Sequence, residues 1–345
     1  MRIKLVKSLK GGEKLAEPVI TKEKEVLISA GTILKPEYLD LISFLGIDTV
    51  CIEDPYMEYE SPHHLLPIEK KNEYVSKVQH ILEKHIYQGQ GDLRGLETIA
   101  KELVEELKVI DHNLVIDMVE RSGNLYEHTL MVTMLSIVMA RRLELPEEQV
   151  SDIALGCLIH DLGLRYITVP YVNYDIENSA ASEVFEFKKH TILAFSALEK
   201  ETWLKDNIKK MVLSHHERAD GSGFPLKQKI KEIECKILQV CDQFDCMISG
   251  MECKRSSVEG AFEYLADGTD RLFEGKMIQL LVELVARYPV GTKVQLNTNE
   301  VGIVVSQTEN SIHPIIAILD GDDNITDVQY NLQKNTKVNI LQVLS

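Results

Sequence analysis

The sequence lacks the features of membrane-spanning and nucleic-acid-binding proteins. No run approaches the roughly 20 apolar residues that a transmembrane helix needs, and the first residues contain no long apolar stretch of the kind found in signal peptides. Basic residues are scarce, since 38 Lys and Arg face 54 Asp and Glu and the formal charge is −16. Because nucleic acids and anionic membranes attract an excess of basic residues, we expect neither as a partner.

Cysteine is also sparse, and its spacing argues against a structural zinc site built from thiolates. None of the six cysteines belongs to a C-x-x-C pair. Several lie on apolar helical faces, so we expect reduced cysteines in the core of a cytoplasmic protein. The sequence also contains neither a P-loop nor a dinucleotide-binding fingerprint.

Three regions of the chain differ in residue pattern and predict three domains. Residues 1–60 contain short β-like runs and one helical stretch, which indicate a small α/β domain with a regulatory or interaction role. Prolines in residues 54–67 predict a linker. Residues 66–288 have the pattern of successive helices, and residues 289–345 contain β-branched runs typical of a small β-domain. We therefore predict a mainly α fold, a helical bundle flanked by two small domains.

One apolar stripe bears on the oligomeric state. Apolar residues recur at three- and four-residue steps over residues 96–118, which predicts a helix of about six turns. Such a stripe suits either packing inside the bundle or the seam of a homodimer, and both interpretations stay open. Further helices are predicted over residues 126–144, 147–162, 182–200, 203–217, 229–249, 255–266 and 274–288.

Histidine and aspartate occur at particular points of these predicted helices, either on the apolar face or at the end of an apolar run. Burying five imidazoles and two carboxylates in one bundle is costly unless they have partners. A metal cluster supplies such partners, because imidazole and carboxylate are ligands of Fe, Mn, Zn, Co and Ni, and its charge would attract an anionic substrate to an acidic protein. The seven candidate ligands are His128, His160, Asp161, His190, His215, His216 and Asp242.

The prediction rests on the joint order of these residues, because any one of them alone is more often a hydrogen-bonded core or capping residue. His63 and His64 provide a contrast, since they lie in the proline-containing linker and are interpreted as solvated. The loop after His216 contains two glycines, which let a ligand approach the backbone closely. Histidines without a comparable setting are His80, His85, His112 and His313.

The order of these elements resembles the HD-GYP family, a branch of the HD-domain metal phosphohydrolases. The resemblance covers roughly residues 120–285, and residues 1–55 resemble the small domain that often precedes it. Five separated elements carry it: His128, "HD" at 160–161, His190, "HHERADGSGFP" at 215–225 and "VCDQFDCMIS" at 240–249.

This resemblance implies a phosphodiesterase that hydrolyses cyclic di-GMP, or a related cyclic dinucleotide, with a metal-activated water. The product would be linear pGpG, with GMP as a further candidate. Two divalent ions are implied, with iron or manganese expected and zinc, cobalt and nickel as alternatives. One ion would be held by His128, His160, Asp161 and Asp242, and the other by Asp161, His190, His215 and His216. Asp161 would thus bridge both ions and position the water.

The sequence departs from the family pattern at positions that contact the substrate or a further metal. Leu164 stands where the family has a lysine that meets the phosphate, and Met251 where it has an arginine. Phe224 replaces the tyrosine of the family name. Asn124 replaces a glutamate that binds a third metal in some members, so we expect two metals. The substrate contacts implied here are Gly221, Gly223, Phe224, Lys254 and Arg165.

Three functions follow from these observations. The complete ligand set favours an active phosphodiesterase. Leu164 and Met251 favour a metal-bound but catalytically weak sensor that binds a nucleotide or a signalling protein, since a lost charge-assisted contact costs about 1.5–3 kcal/mol. A third alternative is an HD phosphohydrolase on another nucleotide, against which the "DGSGFP" loop argues.

Overall fold

The computed structural model confirms a mainly helical fold and divides the chain into two compact units. The helical unit comprises His64–Leu114 and Gly123–Leu284, and the β-rich unit comprises Met1–His63, Val115–Ser122 and Val285–Ser345. The predicted limits of three domains stay a prediction. Residues described are 2–20, 26–47, 49–53, 62–88, 92–111 and 113–344.

The N-terminal part of the β-rich unit consists of two small antiparallel sheets and one helix. Strand β1 pairs with β4, and β2 pairs with β3. Proline at the first position starts α1, because its fixed φ suits a helix start and its missing N–H is not needed there. Leu15, Leu34 and Ile42 are fully buried in this part. The elements are β1 (Arg2–Leu5), β2 (Val19–Ile20), β3 (Val26–Ile28), α1 (Pro36–Phe44) and β4 (Thr49–Ile52).

The C-terminal part of the β-rich unit is a five-stranded antiparallel sheet, in agreement with the predicted β-branched runs. Its strand order is β8-β7-β6-β5-β9. Both faces of its centre are buried, because Val304 and Ile316 pack into one apolar cluster and Ile303 and Ala317 into another. The strands are β5 (Lys293–Leu296), β6 (Val301–Ser306), β7 (Ile315–Leu319), β8 (Ile325–Asn331) and β9 (Ile340–Leu344).

A buried carboxylate joins three segments of the β-rich unit. Asp117 Oδ2 accepts a hydrogen bond from the backbone of His63 at 2.9 Å. Its Oδ1 accepts from the backbone of Val290 and from Gln307 Nε2, both at 2.8 Å. The imidazole Nδ1 of His63 also lies 3.2 Å from the carbonyl of Val115. The interpretation of His63 as a solvated linker residue was therefore wrong, because its backbone and ring are both hydrogen-bonded within this unit.

The helical unit is a bundle built around α4. Nearly every side chain of α4 is buried, as expected for a helix that is apolar all round, and it packs against α2, α5 and α9. Among the described residues, no helix is long and apolar enough to cross a membrane. The helices are α2 (Ile68–Gln88), α3 (Arg94–Glu106), α4 (Leu125–Arg142), α5 (Glu147–Ile159), α6 (Ala181–Lys188), α7 (His190–Ala197), α8 (Asp206–Ser214), α9 (Ile233–Ser249), α10 (Val258–Asp267) and α11 (Gly275–Leu284).

Local chemistry sets the start of α4 and the end of α9. The side chain of Asn124 accepts hydrogen bonds from the backbone of Tyr126 and Glu127, both at 3.0 Å, and so caps α4. Helix α9 ends at Ser249 and is capped by Gly250, whose φ of +72° lies in the left-handed region that glycine adopts without strain. These ends place the first turn of α4 and the chain after α9.

Two predicted helices are shorter in the structure. The predicted helix over 96–118 ends at Glu106, and a single 3-10 turn follows it. Leu96, Ile99 and Leu103 are buried against neighbouring helices of the same chain. The apolar stripe therefore supports packing within the chain, and the homodimer loses this argument. Residues 54–61 of the predicted linker and His112 lie outside the described residues.

The predicted helix over 182–200 is divided into α6 and α7 at Lys189. The carbonyl of Phe187, which could continue the helical ladder, lies 2.8 Å from Nδ1 of His190. The break therefore coincides with a side chain that takes over a backbone acceptor.

Candidate metal centre

The seven predicted ligands come together inside the helical unit, and all of them are buried. Four of them follow the ends of two helices, His160 and Asp161 after α5 and His215 and His216 after α8. The remaining three are His128 in the first turn of α4, His190 at the start of α7 and Asp242 in the middle of α9. Their side chains form two groups of donor atoms that share Asp161.

The first group consists of two imidazoles and two carboxylates. His128 Nε2 lies 3.2 Å from Asp242 Oδ1 and 3.4 Å from Asp161 Oδ2. His160 Nε2 lies 3.3 Å from the same oxygen of Asp161 and 3.5 Å from Asp242 Oδ1. All four donor atoms lie within 4.8 Å of one another, which is the spacing of ligands around one ion.

The second group consists of three imidazoles. His190 Nε2 and His215 Nε2 are 3.3 Å apart, and the ring centroids of His215 and His216 are 4.2 Å apart. Asp161 Oδ1 lies 3.3 Å from His215 Nε2. Because the other oxygen of Asp161 faces the first group, this carboxylate lies between the two groups.

Hydrogen bonds at Nδ1 fix the protonation of three of these rings. Nδ1 lies within 2.8 Å of a backbone carbonyl three residues earlier in His160, His190 and His215. A carbonyl oxygen can only accept, so Nδ1 carries the proton and Nε2 of the neutral ring carries the lone pair. In each case the accepting carbonyl lies in the last turn of a helix, where it has lost its intrahelical partner.

The resulting arrangement fits bound cations. His190 Nε2 and His215 Nε2 lie 3.3 Å apart, and each carries a lone pair in the neutral ring, an arrangement that a shared cation would stabilise. Several buried polar atoms of the cluster also make no hydrogen bond within the described part of the chain, and buried polar groups of native proteins rarely lack a partner. These atoms are Asp161 Oδ1 and Oδ2, Asp242 Oδ2, His160 Nε2 and His216 Nε2.

The two groups differ in electrostatics. Burial opposes protonation of His160, but Asp161 and Asp242 outweigh it and raise its pKa to about 10. Burial and the adjacent His215 lower the pKa of His190 to about 4. Burial, with His215 and His190 nearby, also holds the pKa of His216 well below its usual value. The surroundings of His190 and His216 therefore favour the neutral imidazoles that a metal requires.

The glycine loop after His216 lies against the second group. The ring of Phe224 stacks on His216 with centroids 4.6 Å apart. Gly221 has a φ of +77°, and a Cβ on Gly223 would lie 2.5 Å from the backbone nitrogen of Arg218. Only glycine allows the chain to fold back this closely. The structure thus places two of the predicted substrate contacts, Gly223 and Phe224, beside His216, and Gly221 lies in the same loop.

The predicted cationic contacts have protein partners of their own. Lys254 Nζ forms an ion pair with Asp175 Oδ2 at 2.6 Å. Arg165 Nη1 donates a hydrogen bond to Tyr171 Oη at 3.4 Å. Leu164 and Met251 are buried, so apolar core residues stand where the family pattern has cations. The predicted roles of Lys254 and Arg165 in substrate binding stay predictions.

Sequence reasoning missed three acidic residues around the cluster. Asp245 Oδ2 lies 2.7 Å from His128 Nδ1 and orients this ring. Glu217 accepts backbone hydrogen bonds from Lys227 and Gln228 at 3.0 and 2.9 Å, and so fixes the glycine loop. Glu252 is buried next to the second group, and burial together with Asp161 and Asp242 raises its pKa well above the usual value.

One further glycine brings the two groups together. Gly163 follows His160 and Asp161, and a Cβ on it would collide with the backbone carbonyl of His190 and lie 3.0 Å from the nitrogen of Ala194. The absence of a side chain therefore lets the turn after α5 contact the start of α7 directly.

Comparison with known proteins identifies the domain. Residues 113–277 match the model of the HD domain. The chain is 28% identical to a cyclic di-GMP phosphodiesterase of Pseudomonas aeruginosa over 222 residues, 62% of this chain and 53% of that protein. It is 29% identical to a cyclic di-GMP phosphodiesterase of Thermotoga maritima over 169 residues, 48% of this chain and 45% of that protein. The chain thus spans about half the length of these relatives.

A solved structure agrees at the level of the fold. It is an HDG"Y"P protein from Bdellovibrio bacteriovorus, with a TM-score of 0.50 and 14% identity. The match covers 81% of this chain and 97% of that protein. Together with the motif order, these similarities lead to one conclusion: residues 113–277 are similar to HD domains, and the chain resembles the HD-GYP branch of that family.

Proposed function

We propose that this protein is a di-metal phosphodiesterase that hydrolyses cyclic di-GMP to pGpG, with GMP as a further candidate product. Two relatives carry the name cyclic di-GMP phosphodiesterase, and this chain matches about half the length of each. Their names support the reaction and the substrate class. The ligand-like side chains fit two cations, which supports the di-metal character.

The observation that carries this proposal is the contact between His190 Nε2 and His215 Nε2. Both nitrogens hold lone pairs, because both Nδ1 atoms face backbone carbonyls, yet they are buried 3.3 Å apart. A protein core tolerates such a pair when a cation accepts both lone pairs. A purely structural histidine cluster would place a donor opposite each acceptor.

Each group of donors would hold one divalent ion. His128, His160 and Asp242 would serve the first ion and the three remaining imidazoles the second, with Asp161 shared. Two such ions supply a nucleophilic water at neutral pH and neutralise the charge that develops on a phosphodiester. The ligand set contains no thiolate and suits iron or manganese, with zinc, cobalt and nickel as alternatives.

Residues around the donors would position the rings and the substrate. Asp245 orients His128 through Nδ1, and the carbonyl of Cys157 does the same for His160. Glu217 holds the glycine loop, which would bring the backbone of Gly223 and the ring of Phe224 to a bound nucleotide. The chain would thus bind and orient the cyclic dinucleotide with few charged side chains.

A second candidate is a metal-bound sensor with little or no turnover. The observation in its favour is the loss of cations, since Leu164 and Met251 are buried apolar residues and Lys254 is paired with Asp175. Such a protein would bind a nucleotide or a signalling protein without hydrolysing it. An HD phosphohydrolase on another nucleotide is the remaining alternative.

Metal analysis combined with turnover tests this proposal. We expect about two metal ions per chain by mass spectrometry and conversion of cyclic di-GMP to pGpG or GMP under reducing conditions with Mn²⁺ or Fe²⁺. Two ions without turnover would favour the sensor. Turnover that the double variant His160→Ala, Asp161→Ala retains would refute the metal site as the centre of the reaction.

A further inference from the structure

The segment after α9 holds an acidic side chain against the second group of imidazoles. Glu252 lies three residues after the end of α9, and its backbone N–H donates to the carbonyl of Tyr171 at 2.6 Å. Val172 and Met251 form an antiparallel bridge beside it. Glu252 has a φ of +58°, a left-handed conformation that is uncommon for a residue with a side chain. The backbone is therefore fixed in a costly conformation that directs this side chain inward.

The carboxylate of Glu252 lies within reach of two imidazoles. Its Oε2 is 3.0 Å from His216 Nε2, and its Oε1 is 3.4 Å from His190 Nε2. Oε1 is buried and makes no hydrogen bond to any residue that the structure describes. A donor atom of Glu252 lies within 4.8 Å of donors of Asp161 and His190, and of His216 and Asp242. These distances are those of a further ligand.

We propose that Glu252 is a ligand of the second metal ion, alongside His190, His215 and His216. The inference rests on the proposed di-metal centre and adds a donor that the family motifs do not supply. Glu252 belongs to the "MECKR" stretch, in which Met251 replaces an arginine of the family pattern. The same stretch that loses a cation for the phosphate thus contributes an anion to the metal.

A third carboxylate changes the charge of the centre. With Asp161 and Asp242 alone, two divalent ions keep two net positive charges, and Glu252 leaves one. The second ion should be bound more tightly, while the attraction for a phosphate anion should be weaker. Glu252 would therefore favour retention of the metal over binding of the substrate.

The alternative role for this residue is a protonated acid that donates a hydrogen bond to His216. Glu252→Gln separates the two roles, because the amide keeps a donor of the same size and removes the negative charge. Glu252→Asp tests rescue, since it keeps the carboxylate. Glu263→Gln is the matched control, because Glu263 is exposed on α10.

The experiment is a calorimetric titration of the metal-free full chain with Mn²⁺, repeated with Co²⁺, whose visible absorption reports its ligands. The wild type and Glu263→Gln should bind two ions. In Glu252→Gln the affinity for one ion should fall by at least about tenfold, since even residues that only support a ligand cost this much, and its Co²⁺ spectrum should change. Glu252→Asp should recover part of the affinity.

Two results would overturn the inference in distinguishable ways. If the wild type binds two ions and Glu252→Gln binds both with unchanged affinity and spectrum, Glu252 is not a ligand and the di-metal centre stands. If the wild type binds neither Mn²⁺ nor Co²⁺, the proposed di-metal centre and the role of Glu252 are both wrong. Circular dichroism of each variant checks that a loss of affinity does not reflect unfolding.

Discussion

Two buried aspartates of this chain differ in their hydrogen bonding. In the β-rich unit, Asp117 accepts three hydrogen bonds from protein donors at 2.8–2.9 Å. In the helical unit, Asp161 is equally buried, yet neither of its oxygens makes a hydrogen bond within the described residues, and imidazole nitrogens surround it.

The difference separates a structural carboxylate from a proposed ligand. Donors from three segments form hydrogen bonds with Asp117, so its role is to hold these segments together. Asp161 faces the Nε2 atoms of His160 and His215, whose Nδ1 atoms are already hydrogen-bonded to backbone carbonyls, so its surroundings fit a cation shared with these rings. Burial alone therefore says little about function, and the direction of the neighbouring protons says much more.

Metal removal should give the largest change in stability. It should act through the surroundings of Asp161 and leave the contribution of Asp117 unchanged. A ligand at about 1,000 times its Kd stabilises a protein by about 4 kcal/mol. We expect a chelator to lower the free energy of unfolding by about this amount, measured by urea denaturation. The chelator should lower the free energy of unfolding of Asp117→Ala by the same amount as that of the wild type. Equal stability with and without chelator would contradict the metal centre.

Asp117→Ala should give the next largest effect, on stability alone. The substitution leaves three buried donors without their acceptor, which costs about 3 kcal/mol. Urea denaturation should show this loss, while metal content by mass spectrometry stays at the wild-type level. Asp322→Ala, at an exposed position of the same unit, is the control. A parallel loss of metal would show that the two regions are coupled.

Asp245→Asn should lower metal affinity with little effect on the fold. Asp245 orients His128 through a 2.7 Å contact, and the loss of such a supporting carboxylate costs about tenfold in metal affinity. A Mn²⁺ titration measures this change, with Asp267→Asn as an exposed control on α10. Unchanged affinity would mean that His128 is held in place without Asp245.

The smallest expected effect is a pH dependence at Asp117. Burial raises the pKa of this carboxyl above its usual value of about 3.8, although the hydrogen bonds oppose the shift. The folded state therefore binds the proton more readily than the unfolded chain, and this contribution is lost as the pH rises through the folded pKa. The stability advantage of the wild type over Asp117→Ala should be larger near pH 4 than near pH 7, measured by urea denaturation.

The sequence contained most of the candidate site. Helical periodicity placed His128, His190 and Asp242 on apolar faces, and apolar runs ended at the two dipeptides that follow α5 and α8. The resemblance to the HD-GYP family supplied the grouping around Asp161. Asp245 could also have been found, because it lies three residues after Asp242 on the same helix and so shares its face. These residues were predictable because a helix fixes the direction of each side chain.

Other features depend on contacts that no periodicity encodes. Glu252 lies in a non-helical segment with a positive φ, so its direction follows from pairing with Tyr171 and Val172. The break at Lys189 coincides with the contact between the imidazole of His190 and the carbonyl of Phe187. The same holds for His63, which acquires partners only when Val115 and Asp117 lie beside it. Cytoplasmic location, signalling partners, a homodimer and the limits of three domains stay predictions.

Gly163 has a consequence for the choice between metal ions of different radius. A single methyl group there would push against the carbonyl of His190 and move the first residue of α7, which supplies one donor of the second group. The spacing between donors would widen while every donor remained in the chain. One hydrogen atom, at a residue that is not itself a candidate ligand, would thus limit the size of ion that the proposed centre accepts.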